Sequence, residues 1–269
     1  MDYALPVSLC EMKALTDAAD LDYVDVIINA TLLDYPLVQR LTELDPPPLF
    51  TLLLEGTPEH ELAAQGPVLV RVSWTQATQV NWLGEFVRAF QYQSRVLTLL
   101  SHWPFEALSE HLRYCTQAQW DDGANSGVLR YYDTRLFKRI SGVFSGDEHL
   151  NFHAAVISWH WMDRDHKPQV VGGCAVKPQE FRRPTAGLML GKHQLESLSA
   201  WTAAEQWEES HGAIDIKHRW GKELRVAQLY LAHKEAQNKH LEGQAHTAFI
   251  NEWLTRQLPE NMPTTSPFI

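Results

Sequence analysis

Most features that assign a chain at sight are missing from these 269 residues. No apolar run approaches the ~20 residues that cross a bilayer as a helix. The amino terminus, MDYALPVSLCEMK, has acids where an export signal has bases, and no apolar stretch follows. A cytoplasmic protein with no membrane insertion is therefore expected. The three cysteines, Cys10, Cys115 and Cys174, are far apart and odd in number. None belongs to a C-x-x-C pair, which speaks against a disulfide framework or a zinc knuckle. HExxH, GxSxG and a phosphate-cradling Gly-rich loop are also absent. No cofactor, metal ligand or catalytic residue is assigned.

Basic residues are scarce in one half only. Residues 1–160 hold 20 acids and 10 bases, whereas residues 161–269 hold 13 of each, so the net charge of −10 resides in the first part. Nucleic-acid binding draws its affinity from clustered Lys and Arg, so nucleic acid is not an expected partner. Tryptophan, by contrast, is plentiful at ten residues. Large aromatic rings anchor protein interfaces, but they also fill cores, and both uses are expected here.

Along the first part, strands and helices alternate. Tyr23–Ile28 is β-branched, and a helix near Tyr35–Leu44 is stopped by Asp45-Pro46-Pro47-Pro48. Leu49–Leu54 and Val68–Val72 read as strands, with a helix start at Thr57-Pro58-Glu59 between them. Val80, Leu83, Val87 and Phe90 share one helical face over 80–91. Arg95–Leu100 is a strand, and Pro104 opens a helix with Phe105, Leu108, Leu112 and Cys115 on its apolar stripe. Turn residues 121–127 lead to Val128–Tyr132, and Ala155–Trp161 is a later strand. The pattern predicts an α/β fold, a mixed sheet covered by helices, over residues 1–165.

Gly172-Gly173 and Arg182-Arg183-Pro184 read as loop, and from His193 the chain reads as helical. Leu195, Leu198, Trp201 and Ala204 mark one helix, Val226, Leu229 and Tyr230 a second, and Phe249, Ile250, Trp253 and Leu254 a third. Residues 166–269 thus form a mainly helical lobe, ending in a Pro-rich segment, PENMPTTSPFI, expected to be flexible.

Thirteen histidines invite a metal or acid–base reading. His153, His160 and His166 flank a strand at spacings that match no zinc pattern. His233, His240 and His246 fall near one helical stripe, which a solvated face explains as well. His111 and Cys115 are four apart on one helix and can touch. A Cys–His nucleophile is one reading; a buried structural thiol is the other, because Cys115 continues the stripe of Leu108 and Leu112.

The segment RYYDTR is the informative one. Arg130, Tyr132 and Thr134 point one way if the strand persists, and Asp133 ends it as the N-cap of a helix with Leu136, Phe137 and Ile140 inward. Arg130 and Arg135 around the Asp133 carboxylate lock strand end to helix start; alternatively one arginine faces a partner's carboxylate.

The ordered motifs LFTLLLEGTPEHELAAQGPVLVRV, NWLGEFV, SHWPFEALSEHLRYC and GVLRYYDTRLF resemble the family called domain of unknown function 4123. The pattern residues include Gly56, Thr57, Pro58, Glu59, Trp82, His111, Arg113, Arg130, Asp133 and Arg135. Thr134 stands where the family usually has Pro. The resemblance covers roughly Asp20 to Trp161. It implies a cytoplasmic adaptor, or chaperone, of type VI secretion that binds a toxin effector and helps load it onto the tip spike protein. His111, Arg113, Arg130, Asp133 and Arg135 are then structural or partner-binding candidates. Trp201, Trp207, Trp220 and Trp253 are candidate effector anchors on the helical lobe. Two other readings stand beside it, a metal-dependent hydrolase and an immunity-type toxin-binding protein.

Overall fold

The computed structural model describes residues 5–184, 187–211 and 220–256. The chain order is α1 (Val7–Ala18), β1 (Tyr23–Asn29), α2 (Leu37–Thr42), β2 (Leu49–Leu52), β3 (Pro67–Ser73), α3 (Ala77–Phe90), β4 (Val96–Leu100) and α4 (Phe105–Cys115). It continues with β5 (Gln117–Trp120), β6 (Asn125–Val128), α5 (Thr134–Val143), α6 (Gly146–His153), β7 (Ser158–Met162), β8 (Pro168–Gly172) and β9 (Leu188–Met189). Three helices close the described chain: α7 (Lys192–His211), α8 (Lys222–Asn238) and α9 (Gly243–Arg256). The Pro-rich segment from Pro259 on lies outside the described residues.

Two compact units divide at Leu190 and Gly191. The first is built on a six-stranded sheet of order β2-β3-β1-β4-β7-β8. Every neighbouring pair in it is antiparallel. The α/β expectation is met, with helices covering the sheet and a helical region after it; that the six strands pair only antiparallel, where alternation of strands and helices suggests a mixed sheet, has a topological reason. Helix α3 does connect two strands of the same direction, β3 and β4, but β1 lies between them and runs the other way. A mixed pattern does occur in a second, three-stranded sheet, β6-β5-β9, where β5 pairs antiparallel with β6 and parallel with β9.

β1 is central, so its β-branched run is buried on both faces. On one face Val24, Val26 and Ile28 join Val68, Val70 and Val72 of β3 and the apolar stripes of α1, α2 and α3 in a single core. The other face carries Ile27, Leu69, Leu97 and Leu99, all fully buried. It also carries Trp159, whose indole lies 5.1 Å from the ring of Phe137 in α5 and 6.0 Å from Phe152 in α6. Helices α1, α2 and α4 each follow a proline, Pro6, Pro36 and Pro104. A missing N–H costs nothing at that point of a helix.

Several local boundaries differ from the sequence pattern. Thr57-Pro58-Glu59 forms a turn that leads directly into a 3-10 helix over His60–Gln65, with the Thr57 hydroxyl accepting from the Glu59 N–H at 3.2 Å. The strand expected over Val128–Tyr132 ends at Val128. Tyr131 and Tyr132 are both buried, so the side chains do not alternate there. β8 is absent from the sequence pattern, in which Gly172-Gly173 reads as loop, because Pro168 and two glycines hide a strand that pairs only with β7. Its pairing keeps residues 168–172 in the first unit, past the boundary drawn at residue 165.

In the second unit α7 packs along α8, and α8 along α9. Its core includes Ala200, Trp201, Ala204, Val226, Leu229, Ala232, Ala236, Ile250 and Leu254, with His233 also buried. The Arg225 guanidinium of α8 pairs with the Glu208 carboxylate of α7, its Nε at 3.0 Å from Oε1.

Candidate functional site

The residues singled out by RYYDTR come together at the start of α5. Asp133 is the N-cap, and its Oδ1 accepts from the backbone N–H of Arg135 at 3.1 Å and from Arg135 Nε at 3.0 Å. Oδ2 accepts from Arg135 Nη2 at 2.8 Å and Arg130 Nη2 at 3.3 Å. The carboxylate is 1% exposed, whereas the Arg130 and Arg135 side chains are 46% and 35% exposed. A buried anion is thus held between a helix start and two guanidiniums whose outer edges reach solvent. Thr134 follows as the first helical residue, a position where proline is also at home.

Other motif residues fasten the neighbouring strands. Thr57 donates to Glu59 Oε2 at 3.1 Å, and the same oxygen accepts from Gln117 Nε2 of β5 at 3.1 Å. Arg113 of α4 reaches Thr51 of β2 through Nη2 at 3.4 Å, while its Nε is buried without a hydrogen-bond partner.

His111 and Cys115 do meet, with Nε2 and Sγ 3.6 Å apart. Both are fully buried, and each also approaches the Phe152 carbonyl, His111 at 3.4 Å and Cys115 at 3.8 Å. Burial pushes the Cys115 thiol up and holds His111 down at about 4, so the pair is thiol and neutral imidazole. Trp103 and Phe181 pack on the imidazole at 5.3 and 5.2 Å between ring centres. A partner-binding role for His111 is excluded by this enclosure; it is a core residue.

The remaining histidines do not converge. His153 accepts from the Trp159 indole N–H at 3.0 Å inside the aromatic core. His160 faces the Ser158 hydroxyl at 2.8 Å. On the helical unit His233 Nδ1 and His246 Nε2 are 3.1 Å apart, but His240 is exposed beyond the end of α8. The far nitrogen of His233 is buried without a partner, whereas a metal-ligating histidine ordinarily donates that N–H. Among the described residues no three His, Cys, Asp or Glu side chains gather as a metal site.

Of the four candidate tryptophan anchors, Trp201 is 2% exposed and lies 5.4 Å from Tyr230 within its own unit. It is a core residue rather than a surface anchor. Trp207, Trp220 and Trp253 are half-buried. Trp207 stacks on His211 at 4.4 Å, and Trp253 packs near Phe249 at 5.9 Å.

Sequence patterning overlooked one site, a cross-strand ion pair inside the sheet. Asp25 of β1 faces Arg71 of β3, with Nε to Oδ1 and Nη2 to Oδ2 both at 2.8 Å. Asp25 is fully buried, and the guanidinium lies 3.8 Å above the Tyr23 ring. Burial pushes the Asp25 carboxyl up, and Arg71 pulls it partly back. The signal was present as one acid and one base, each inside an otherwise apolar β-branched run.

Residues 26–149 match the family described as domain of unknown function (DUF4123). The DUF4123 stretch runs from within β1 to within α6 and so contains Asp133, His111, Arg113 and the Thr57–Glu59 turn. It stops short of β7, β8 and the helical unit. Nothing among curated proteins or solved structures matches the chain. Among the described residues no helix is long and apolar enough to cross a membrane.

Proposed function

We propose that the chain is a non-catalytic adaptor of type VI secretion, which holds a toxin effector in the cytoplasm and helps load it onto the tip spike protein. The observation that carries the reading is what the DUF4123 pattern residues do. Asp133, His111 and the Thr57–Glu59 turn each end in contacts within the fold. A pattern spent on scaffolding marks a rigid framework that presents a surface, as an adaptor requires. The one cysteine in that stretch, Cys115, is held as a buried thiol, which speaks for binding over bond-making.

The two units suit a division of labour. The DUF4123-bearing unit is common framework, and the helical unit, outside the matched stretch, is where a particular effector would be recognised. Trp207, Trp220 and Trp253 remain its half-buried aromatic candidates for contact. Full-length tagged protein isolated from its native cells tests the reading. One toxin effector and the tip spike protein should be enriched, and enrichment of neither overturns it. Co-expression with that effector separates adaptor from immunity protein: an adaptor raises effector delivery without rescuing cells from the toxin.

A further inference from the structure

The sheet of the first unit has two edges, and they are not equivalent. At β2 the Leu52 carbonyl already accepts from the Glu55 N–H at 3.1 Å, and the strand has only four residues. β8 is different. The Asp163 N–H, just past β7, donates to the Lys167 carbonyl at 3.0 Å, so in the alternating ladder the residues of β7 that bond across to β8 are Trp161 and Trp159. Their register partners, Gln169 and Val171, therefore direct their backbone groups inward along the ladder. Pro168, Val170 and Gly172 then direct their backbone groups outward. That leaves two N–H donors, at Val170 and Gly172, and three carbonyls on an open edge, since Pro168 has no N–H.

Beside this edge lies a groove bounded by α1, the end of α3 and strands β4, β7 and β8, with about 620 Å³ of empty space counting the part open to solvent. Leu9, Met12, Leu15, Val96 and Met162 contribute its apolar wall. By register Val170 stands on the same face as His160 and Met162, and it is 63% exposed; Leu15 is 43% exposed. Among the described residues the single charged side chain lining the groove is Glu11. An open strand edge and an apolar trough on one face of the same sheet have the two parts of a strand-addition site: backbone pairing for affinity and a trough for alternate side chains.

We infer that β8 is a docking edge for an extended segment of another protein, with apolar residues at alternate positions and a basic residue placed to meet Glu11. The segment pairs with Val170 and Gly172 and lays its apolar side chains between α1 and β7. The inference stands whether or not that protein is a secretion effector.

The test uses the full chain and two capped hexapeptides, Val-Thr-Val-Thr-Lys-Thr (the Lys–Val peptide) and Val-Thr-Val-Thr-Glu-Thr (the Glu–Val peptide), in which the charged residue shares the face of the valines, followed by backbone amide NMR. The Lys–Val peptide should shift the Val170 and Gly172 amides saturably and slow their hydrogen exchange at least tenfold, and the Glu–Val peptide should bind more weakly. Val170→Pro removes an outward donor and leaves the β7 ladder intact, so affinity should fall at least tenfold with the unfolding midpoint kept. Should that variant lose its fold, Leu15→Glu, which touches no backbone bond, gives the same decision through the groove wall. Glu11→Lys should reverse the preference between peptides. Absence of saturable shifts at the β8 edge, equal binding of both peptides, or wild-type affinity in both Val170→Pro and Leu15→Glu overturns the inference. So does a dimer in sedimentation that Val170→Pro dissociates, because the edge then serves a second copy of this chain.

Discussion

Asp133 takes three hydrogen bonds from Arg135, one from its backbone N–H and two from its guanidinium, and so fixes where α5 begins. Asp133→Ala loses a helix cap and a buried charge-assisted pair, and should cost about 2–3 kcal/mol in urea unfolding. Arg130→Ala, from a side chain 46% exposed and bonded at 3.3 Å, should cost less than about 1 kcal/mol. Equal losses from the two variants would contradict this arrangement.

Thr134→Pro should stabilise the protein by about 0.5–1 kcal/mol. Thr134 is the first residue of α5, its hydroxyl is buried without a partner, and Asp133 before it is already extended at φ −78° and ψ 108°. A thermal midpoint below wild type would show that this site does not accept the ring.

Three enclosed histidines make the fold acid-sensitive. Burial holds His111, His153 and His233 down at about 4, against an ordinary value of 6.5. A base depressed on folding gives stability that is whole above pH 6.5 and is lost as pH falls through 4, because only the unfolded chain takes up the proton in that window. His111 alone should contribute on the order of 2–3 kcal/mol of this loss. His111→Gln keeps an N–H for the Phe152 carbonyl and should flatten the stability–pH slope between pH 6.5 and 4. An unchanged slope would refute the assignment.

The unit boundary predicts different fates for two truncations. Residues 1–190 retain β8 and β9 and should give a monomeric, cooperatively unfolding protein. Residues 1–165 lose both strands, expose the β7 edge with Trp159 and Trp161, and should aggregate. Size-exclusion chromatography with circular dichroism distinguishes them, and a soluble, folded 1–165 fragment would contradict the boundary.

Much of this was legible in sequence because one physical rule dominated locally. The β-branched runs of β1 and β3, the apolar stripe of α4 and the capping Asp133 each declare themselves within about a dozen residues. Strand direction did not, since a helix between two strands reads the same whether the strands end up adjacent or straddle β1. β8 escaped because Pro168 and Gly172 at an edge look like loop when no partner strand is in view. Trp201 stands among the anchor candidates although it lies in the core, because periodicity shows which residues share a face and not which neighbour covers it. Asp25 and Arg71 were overlooked because neither means anything without the register that sets them opposite each other.

The central claim is that this protein grips another protein for secretion and makes no bonds itself. It is tested most directly by measuring effector export in native cells lacking the chain, with type VI firing monitored in parallel. One effector should fail to leave the cell while firing continues, and re-expression of the full chain, or of a Cys115→Ala variant that folds normally, should restore export. Undiminished export of every effector without the chain, or restoration that fails only when Cys115 or His111 is replaced in a folded protein, would contradict it.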